Sequence, residues 1–582
     1  MEKEELEMRR HSMAHILAKA LKEIYGDGLK LTIGPAIDNG FYYDVDFESS
    51  ISPDDFEKIE NKMKEIIKRQ EDFTRKEISK SEALEMFKDN QYKVEIIKDL
   101  ADDEVISVYY TGNDFVDLCR GPHVSNSKFL SGFSFKIDKV AGAYWRGSEK
   151  NKMLQRIYVL GFENKNDLKE YLKQVEEAKL RDHRKIGKDL GIFMISDVVG
   201  KGLPFWLPNG FILRRTIEDY IIKKELSLGY QHVLTPCIGS KELYLTSGHW
   251  AHYQDDMFPA MERDGETYVL RPMNCPHHMT IYKNFMHSYK DLPIRIAESG
   301  NIFRFEDSGS LTGLERVRWI VQNDSHIFCR PDQIEQEVNN VIDLIFDVYK
   351  DFGIGQNMEV RLSLRDKNNK EKYFENDDLW EKSENAFRTI LNKKGVKYYE
   401  APGEAAFYGP KIDIQIKTAV GHDVTLPTVQ LDYQLPEKFE LEYINENSQK
   451  VRPVVIHRAI LGSFDRFIAY LLEETKGVLP TWLAPKQVVV IPVNENCYDY
   501  AKEINEKFLL NDIRSEADLR NESLSYRIRA CVTQKIPYII IIGEKELENK
   551  TISVRKRGGK DTVEMSVDDF VSEIKTEIKL KK

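Results

Sequence analysis

Several absences narrow this sequence first. None of its six cysteines, Cys119, Cys237, Cys275, Cys329, Cys497 and Cys531, forms a CxxC pair. Scattered thiols in a large chain read as reduced sulfurs, each available as a ligand or a nucleophile. No apolar run is long enough to cross a bilayer, so no membrane association is expected. The opening MEKEELEMRR lacks the apolar stretch of a signal peptide, which points to a cytoplasmic protein. Internal repeats and low-complexity tracts are absent too. A net charge of −11 argues against a wholly basic nucleic-acid binder, although not against local patches such as KLRDHRKIGK (179–188) and RKRGGK (555–560). Taken alone, each tract reads as solvated surface.

What is there suits a soluble globular protein: 41% hydrophobic and 31% charged residues. At roughly 150 residues per domain, 582 residues imply three or four domains. EELEMRRHSMAHILAKALKEIYG spaces Leu6, Met13, Ile16, Leu17, Leu21 and Ile24 as a helix ending near Gly26. A second helix is expected from Pro53, and residues 1–150 read as an α+β unit. MLQRIYVLGF (153–162) reads as a strand, followed by one long polar helix over about 164–188. The middle mixes strands and helices as an antiparallel sheet flanked by helices does. Beyond PTWLAPKQ, the strands VVVIPV, YIIIIG and TISVR alternate with helices in a small α/β domain.

HSMAHIL places His11 and His15 on one helical face, and DLCRGPH repeats the spacing with Cys119 and His123. Two such pairs can converge into a four-group pocket, and on spacing alone a structural zinc site leads. In the middle, FRFE puts Arg304 and Glu306 on a strand, and HRAILGSFDRF opens a helix near Arg466. Two guanidinium groups so placed can hold a triphosphate, since they donate paired hydrogen bonds and stay charged. Either arginine alone reads as a surface ion pair.

GYQHVLTPCI, FRFEDSGSLTGLERVR and HRAILGSFDRF together resemble motifs 1, 2 and 3 of the class II aminoacyl-tRNA synthetases. RPMNCPHH, QNDSHIF, AFYGPKID and TVQLDY narrow the resemblance to the threonyl-tRNA synthetase family, over nearly the whole chain. It implies a multidomain α+β protein: an editing domain (1–160), a linker helix (161–189), a class II antiparallel-sheet catalytic domain (190–482) and an α/β anticodon-binding domain (483–582). The resemblance begins at the editing helix, so the small ubiquitin-like domain that precedes it in many bacterial members is expected to be absent.

Carried over by residue, Arg304 meets the ATP α-phosphate, Glu306 the adenine amino group and Arg466 the nucleotide. Gln322 and Lys411 complete the catalytic set. Cys275, His326 and His457 match the ligands of the family's zinc, one ion per subunit. Three protein ligands leave a position open, as at a substrate-binding zinc. Asp324, Tyr408, Gln430, Ser463 and Met273 match the threonine and adenylate pocket. Partners implied are ATP with Mg²⁺, L-threonine, tRNA(Thr) and a second copy of the chain through motif 1. Ile320 stands where an adenine-stacking Phe is usual, and Asp465 where Glu is common, so altered ATP affinity is expected. His277 replaces a glycine seen in some members and is not counted as a ligand.

A site that binds the hydroxyl of threonine rejects valine by roughly 10⁴–10⁵. Serine lacks only a methyl, worth roughly 1–3 kcal/mol, so a separate hydrolytic site is needed. His11, His15, Cys119 and His123 match the family's editing tetrad, with Lys93 and Asp117 beside it, and the resemblance favours metal-free hydrolysis. Lys93 or His11 is the candidate proton carrier. Asn521, Lys535, Glu546 and Arg555 match anticodon readers, Lys535 standing where some members have Arg. Two alternatives compete: a catalytically silent paralogue that only binds RNA or amino acid, and a class II enzyme for another amino acid.

Overall fold

Apolar residues recurring every three or four positions make the chain helical from Lys3 to Tyr25. That helix buries Met13, Ile16, Leu17 and Leu21. Two of its cations are buried as well, and both are satisfied. Arg10 donates to the carbonyls of Gly161, Ile37 and Asp38. Lys19 Nζ lies 2.6 Å from Glu71 and 2.5 Å from Asp114. The computed structural model describes residues 3–101, 104–355, 358–369, 372–373, 376–418 and 423–582. It forms two compact units, Met1–Glu177 and Ala178–Lys582. Among the described residues no helix is long and apolar enough to cross a membrane.

In the first unit the helix packs on an antiparallel sheet ordered Lys30–Leu31, Gly40–Asp46, Met153–Phe162, Ser134–Tyr144. A second sheet joins Phe73–Ile78, Ile106–Thr111 and Phe115–Leu118, and its last strand runs out into Cys119. Lys93 sits on the short helix Gln91–Asp99, which starts where Asn90 accepts hydrogen bonds from the Tyr92 and Lys93 amides.

The second unit is built on an eight-stranded sheet. Its order is Gln231–His232, Ile294–Phe303, Trp319–Cys329, Val454–Ser463, Asp423–Asp432, Lys411–Lys417, Met358–Leu364 and Tyr398–Pro402. Pairing is antiparallel except at the two edges. Beyond residue 487 a five-stranded sheet places Val488–Pro492 and Tyr538–Ile542 at its middle, buried runs of Val and Ile.

Two expectations need correction. The helix over 164–188 is two helices, Lys165–Arg181 and His183–Asp189. Asp182 interrupts it by accepting a 2.8 Å hydrogen bond from the Arg184 amide, so N-capping outweighs helical periodicity there. Around this segment the preceding strand runs to Phe162, the division between units falls at Glu177, and Ile186 and Leu190 join the core of the second unit. Arg304 and Glu306 lie just past the strand, which ends at Phe303.

Candidate functional site

Strand alternation and register build the first site. Gln322, Asp324 and His326 are two apart on one strand and share a face. His326 lies opposite His457, His457 opposite Gln430, and Gln430 opposite Lys411. Cys275 arrives from the first turn of the helix Cys275–Lys283. A cavity of about 450 Å³ is lined by Met273, Cys275, Arg304, Gln322, Asp324, His326, Tyr408, Lys411, Gln430 and His457. Tyr408 donates a 2.6 Å hydrogen bond to Gln430.

Glu306, Ser463 and Arg466 fall outside that lining. The Glu306 carboxylate sits 2.7 Å from Arg316, Arg466 Nε donates to the Glu315 carbonyl at 3.0 Å, and Ser463 caps the helix that carries Arg466. Asp465 is buried and accepts from the Val321 amide at 3.0 Å, and burial raises its pKa to about 6.

The donor atoms of Cys275, His326 and His457 all lie within 4.8 Å of one another. Each imidazole is held from behind by one nitrogen. His457 Nε2 is 2.8 Å from Asp432, and His326 Nδ1 is 2.7 Å from His278, whose other nitrogen lies 3.2 Å from Glu298. His326 Nε2 is buried with no hydrogen-bond partner. One thiol and two imidazoles, each ring oriented by a second partner, fit a three-ligand zinc site. Burial pushes the Cys275 thiol pKa up and the His326 pKa down. A divalent cation offsets the first effect and needs the neutral imidazole that the second supplies. His277 lies outside the cluster.

Asp432 and His278 carry no sequence assignment, yet both had a signal. Asp432 is two beyond Gln430 on a strand, and His278 is three beyond Cys275 on a helix, so each shares its neighbour's face. Asp432→Asn is expected to weaken zinc binding by roughly 10–100-fold, as loss of such supports does, read by chelator competition.

In the first unit His11, His15, Cys119 and His123 converge within 4.8 Å. Cys119 Sγ is 3.3 Å from His11 Nε2 and 3.2 Å from His123 Nε2. The Ser12 hydroxyl donates to the Met8 carbonyl and lies 3.1 Å from His123 Nδ1. His123 Nδ1 therefore carries the proton, and its bare Nε2 faces the thiol. Burial lowers the pKa of all three histidines and raises that of Cys119 to about 11, so these four groups are uncharged near neutrality. His11, His15, Cys119, Lys93 and Asp117 line one cavity of about 430 Å³. Lys93 and Asp117 form a buried pair at 2.6 Å, and the Tyr43 hydroxyl donates to Asp117.

These depressed pKa values carry a pH signature. The unfolded chain takes up protons on His15 and His123 near pH 6.5, whereas the folded pocket holds them neutral. Stability conferred by neutral burial is complete above pH 6.5 and falls as pH drops below it, by about 1.4 kcal/mol per pH unit for each histidine. Urea unfolding of the first unit between pH 7 and 5 checks this. Replacing His15 and His123 by Gln should flatten the slope.

The anticodon candidates are only partly brought together. Glu546 accepts a 2.8 Å hydrogen bond from Ser553, which shares a strand face with Arg555, and Arg555 donates to the Gly559 carbonyl. Asn521 is exposed. The Lys535 ammonium donates to the carbonyl of Lys476.

Comparison with known proteins adds three family matches. Residues 258–475 match the tRNA synthetase class II core domain (G, H, P, S and T), and 487–577 an anticodon binding domain. Residues 106–158 match the threonyl and alanyl tRNA synthetase second additional domain. The threonine–tRNA ligase of Staphylococcus carnosus is 54% identical over 581 residues, covering 100% of this chain and 89% of that one. That of Geobacillus sp. is 52% identical, covering 99% and 89%. Among solved structures, the RNA binding domain of threonyl-tRNA synthetase from Cryptosporidium parvum aligns with a TM-score of 0.65 at 36% identity, covering 68% of this chain and 98% of that chain.

Proposed function

This chain belongs to the threonine–tRNA ligases, and from that premise we propose how its residues divide the work of charging tRNA with threonine and clearing serine. The observation that carries the reading is the convergence of Cys275, His326 and His457 beside Asp324, with each imidazole braced from behind. When bound there, zinc supplies a Lewis-acidic recognition point for the amine and hydroxyl of threonine. Asp324 accepts from the hydroxyl, and Tyr408 and Gln430, already hydrogen-bonded to each other, shape the pocket around it.

Arg304 neutralises the α-phosphate of ATP, Arg466 holds the far end of the nucleotide, and Mg²⁺ accompanies the triphosphate. Catalysis then rests on positioning and charge neutralisation. Gln322 and Lys411 flank the reacting carboxylate. Glu306 receives the adenine amino group and Ile320 packs on its ring, while Met273 lines the pocket and Ser463 caps the helix that carries Arg466.

At the editing site the thiol and imidazoles hold a water against the seryl ester. Lys93 is held against Asp117 in a buried pair at 2.6 Å, so His11 is favoured over Lys93 as the proton carrier. The tetrad works without metal. Asn521, Lys535, Glu546 and Arg555 serve tRNA(Thr) recognition, and the 555–560 tract supports its backbone. Homodimerisation through motif 1 is supported by exposed Leu226, Leu228, Leu234 and Ile238 around it, Leu234 being 86% exposed. Residence in the cytoplasm, and domain limits near 160, 189 and 482, belong to the same reading.

ATP–pyrophosphate exchange tests it. Threonine should drive exchange, serine weakly, and valine not at all. No exchange in zinc-loaded protein, or exchange driven by proline or glycine, would overturn it.

A further inference from the structure

We infer that His183, in the segment ahead of the catalytic sheet, is a positioning residue for the ATP-binding arginine Arg466. It acts by anchoring the loop that follows Arg304. The inference rests on the reading of Arg466 as a nucleotide ligand.

The loop is pinned at two adjacent residues. The Leu314 amide donates to His183 Nε2 at 3.1 Å, and the Glu315 carbonyl accepts from Arg466 Nε at 3.0 Å. Between strands the chain turns tightly, with the Arg316 amide bonded to Thr312 and the Thr312 amide to Arg316. A shift at Leu314 therefore moves the carbonyl on which Arg466 is aimed. His183 is 2% exposed and Leu314 fully buried.

The imidazole is itself locked. Its Nδ1 lies 2.6 Å from a carboxylate oxygen of Glu473. An amide N–H can only donate, so Nε2 is the bare nitrogen and Nδ1 carries the proton toward Glu473. Glu473 is in the last turn of the helix that Arg466 opens, Phe464–Thr475. Arg181 donates to the Glu473 and Glu474 carbonyls at 2.9 Å each. One short segment thus grips both the loop and the end of the Arg466 helix.

The loop is shaped for this contact. Gly313 has φ +48, and a Cβ there would lie 2.1 Å from His183 Nε2. Any side chain at 313 collides with the anchoring nitrogen, so glycine and histidine form a matched pair.

The test compares His183→Phe, His183→Gln and Gly313→Ala in ATP–pyrophosphate exchange. Phenylalanine keeps a ring but loses both hydrogen bonds. Glutamine retains an acceptor for Leu314 and a donor for Glu473. His183→Phe and Gly313→Ala should each raise KM for ATP about tenfold or more, the order of one lost hydrogen bond to an ordered group. KM for threonine and zinc content should stay near the parent values, and His183→Gln should recover most of the ATP effect. Unchanged KM for ATP in folded His183→Phe overturns the inference. So does an equal rise in both KM values with lowered melting temperature, which marks a merely structural residue. If the parent protein itself gives no threonine-dependent exchange, the functional reading fails instead.

Discussion

Cys275→Ala is expected to abolish zinc binding and to cut threonine activation by about 10³-fold or more, the scale of losing a metal that stabilises charge by several kcal/mol. Hydrolysis of seryl-tRNA should continue. Cys275 is 3% exposed at the first turn of its helix, between Met273 and His249, so alanine fits the helix and removes only the thiol. The two braced imidazoles that remain bind zinc far more weakly than three donors do. The His11, His15, Cys119 and His123 cluster proposed for editing lies in the other compact unit, Met1–Glu177, and should be untouched. Exchange kinetics, metal analysis and a seryl-tRNA hydrolysis assay on one preparation check all three statements. Full activation by the variant would show that the ligand assignment is wrong.

His11→Ala, or Cys119→Ala, should show the opposite division. Loss of a group that moves or holds a proton costs about 10²–10⁴ in rate. Seryl-tRNA hydrolysis should fall on that scale, while threonine-dependent exchange stays at the parent level. Seryl-tRNA should then accumulate when serine is supplied. Lys93→Met is a harsher variant, because it leaves the Asp117 carboxylate buried and without its cation. Removing one member of a buried pair costs about 3–5 kcal/mol, so this variant should also lower the melting temperature of the first unit. Loss of hydrolysis in Lys93→Met alone is therefore weaker evidence for a chemical role than loss in His11→Ala.

Much of the fold was legible because its elements obey simple periods. The helix Lys3–Tyr25 follows its apolar spacing, and the strands Val488–Pro492 and Tyr538–Ile542 follow their Val and Ile runs. The break at Asp182 was hidden because helical periodicity continues through it, and only the capping geometry reveals it. Strand limits at Phe303 depend on pairing partners distant in sequence.

The sites were legible in part, and for different reasons. His11 and His15, like Cys119 and His123, announce themselves by local spacing, although spacing alone favoured a metal. Cys275, His326 and His457 are brought together only by the register of two strands and a helix start, so a family resemblance was needed to find them. Their supports, Asp432 and His278, follow from period-two and period-three neighbours once those ligands are known. The pairing of His183 with the Gly313–Leu314 turn has no sequence signal at all, since the Leu314 amide that bonds His183 lies 131 positions away.

The central claim is that one cluster of soft donors binds zinc and the other, equally close-set, does not. Metal stoichiometry of the purified chain, loaded with excess zinc and then desalted, tests this most directly. One zinc per chain is predicted, lost in Cys275→Ala and retained in Cys119→Ala. Two per chain, with one lost in each variant, would contradict the account and make the editing tetrad a metal site.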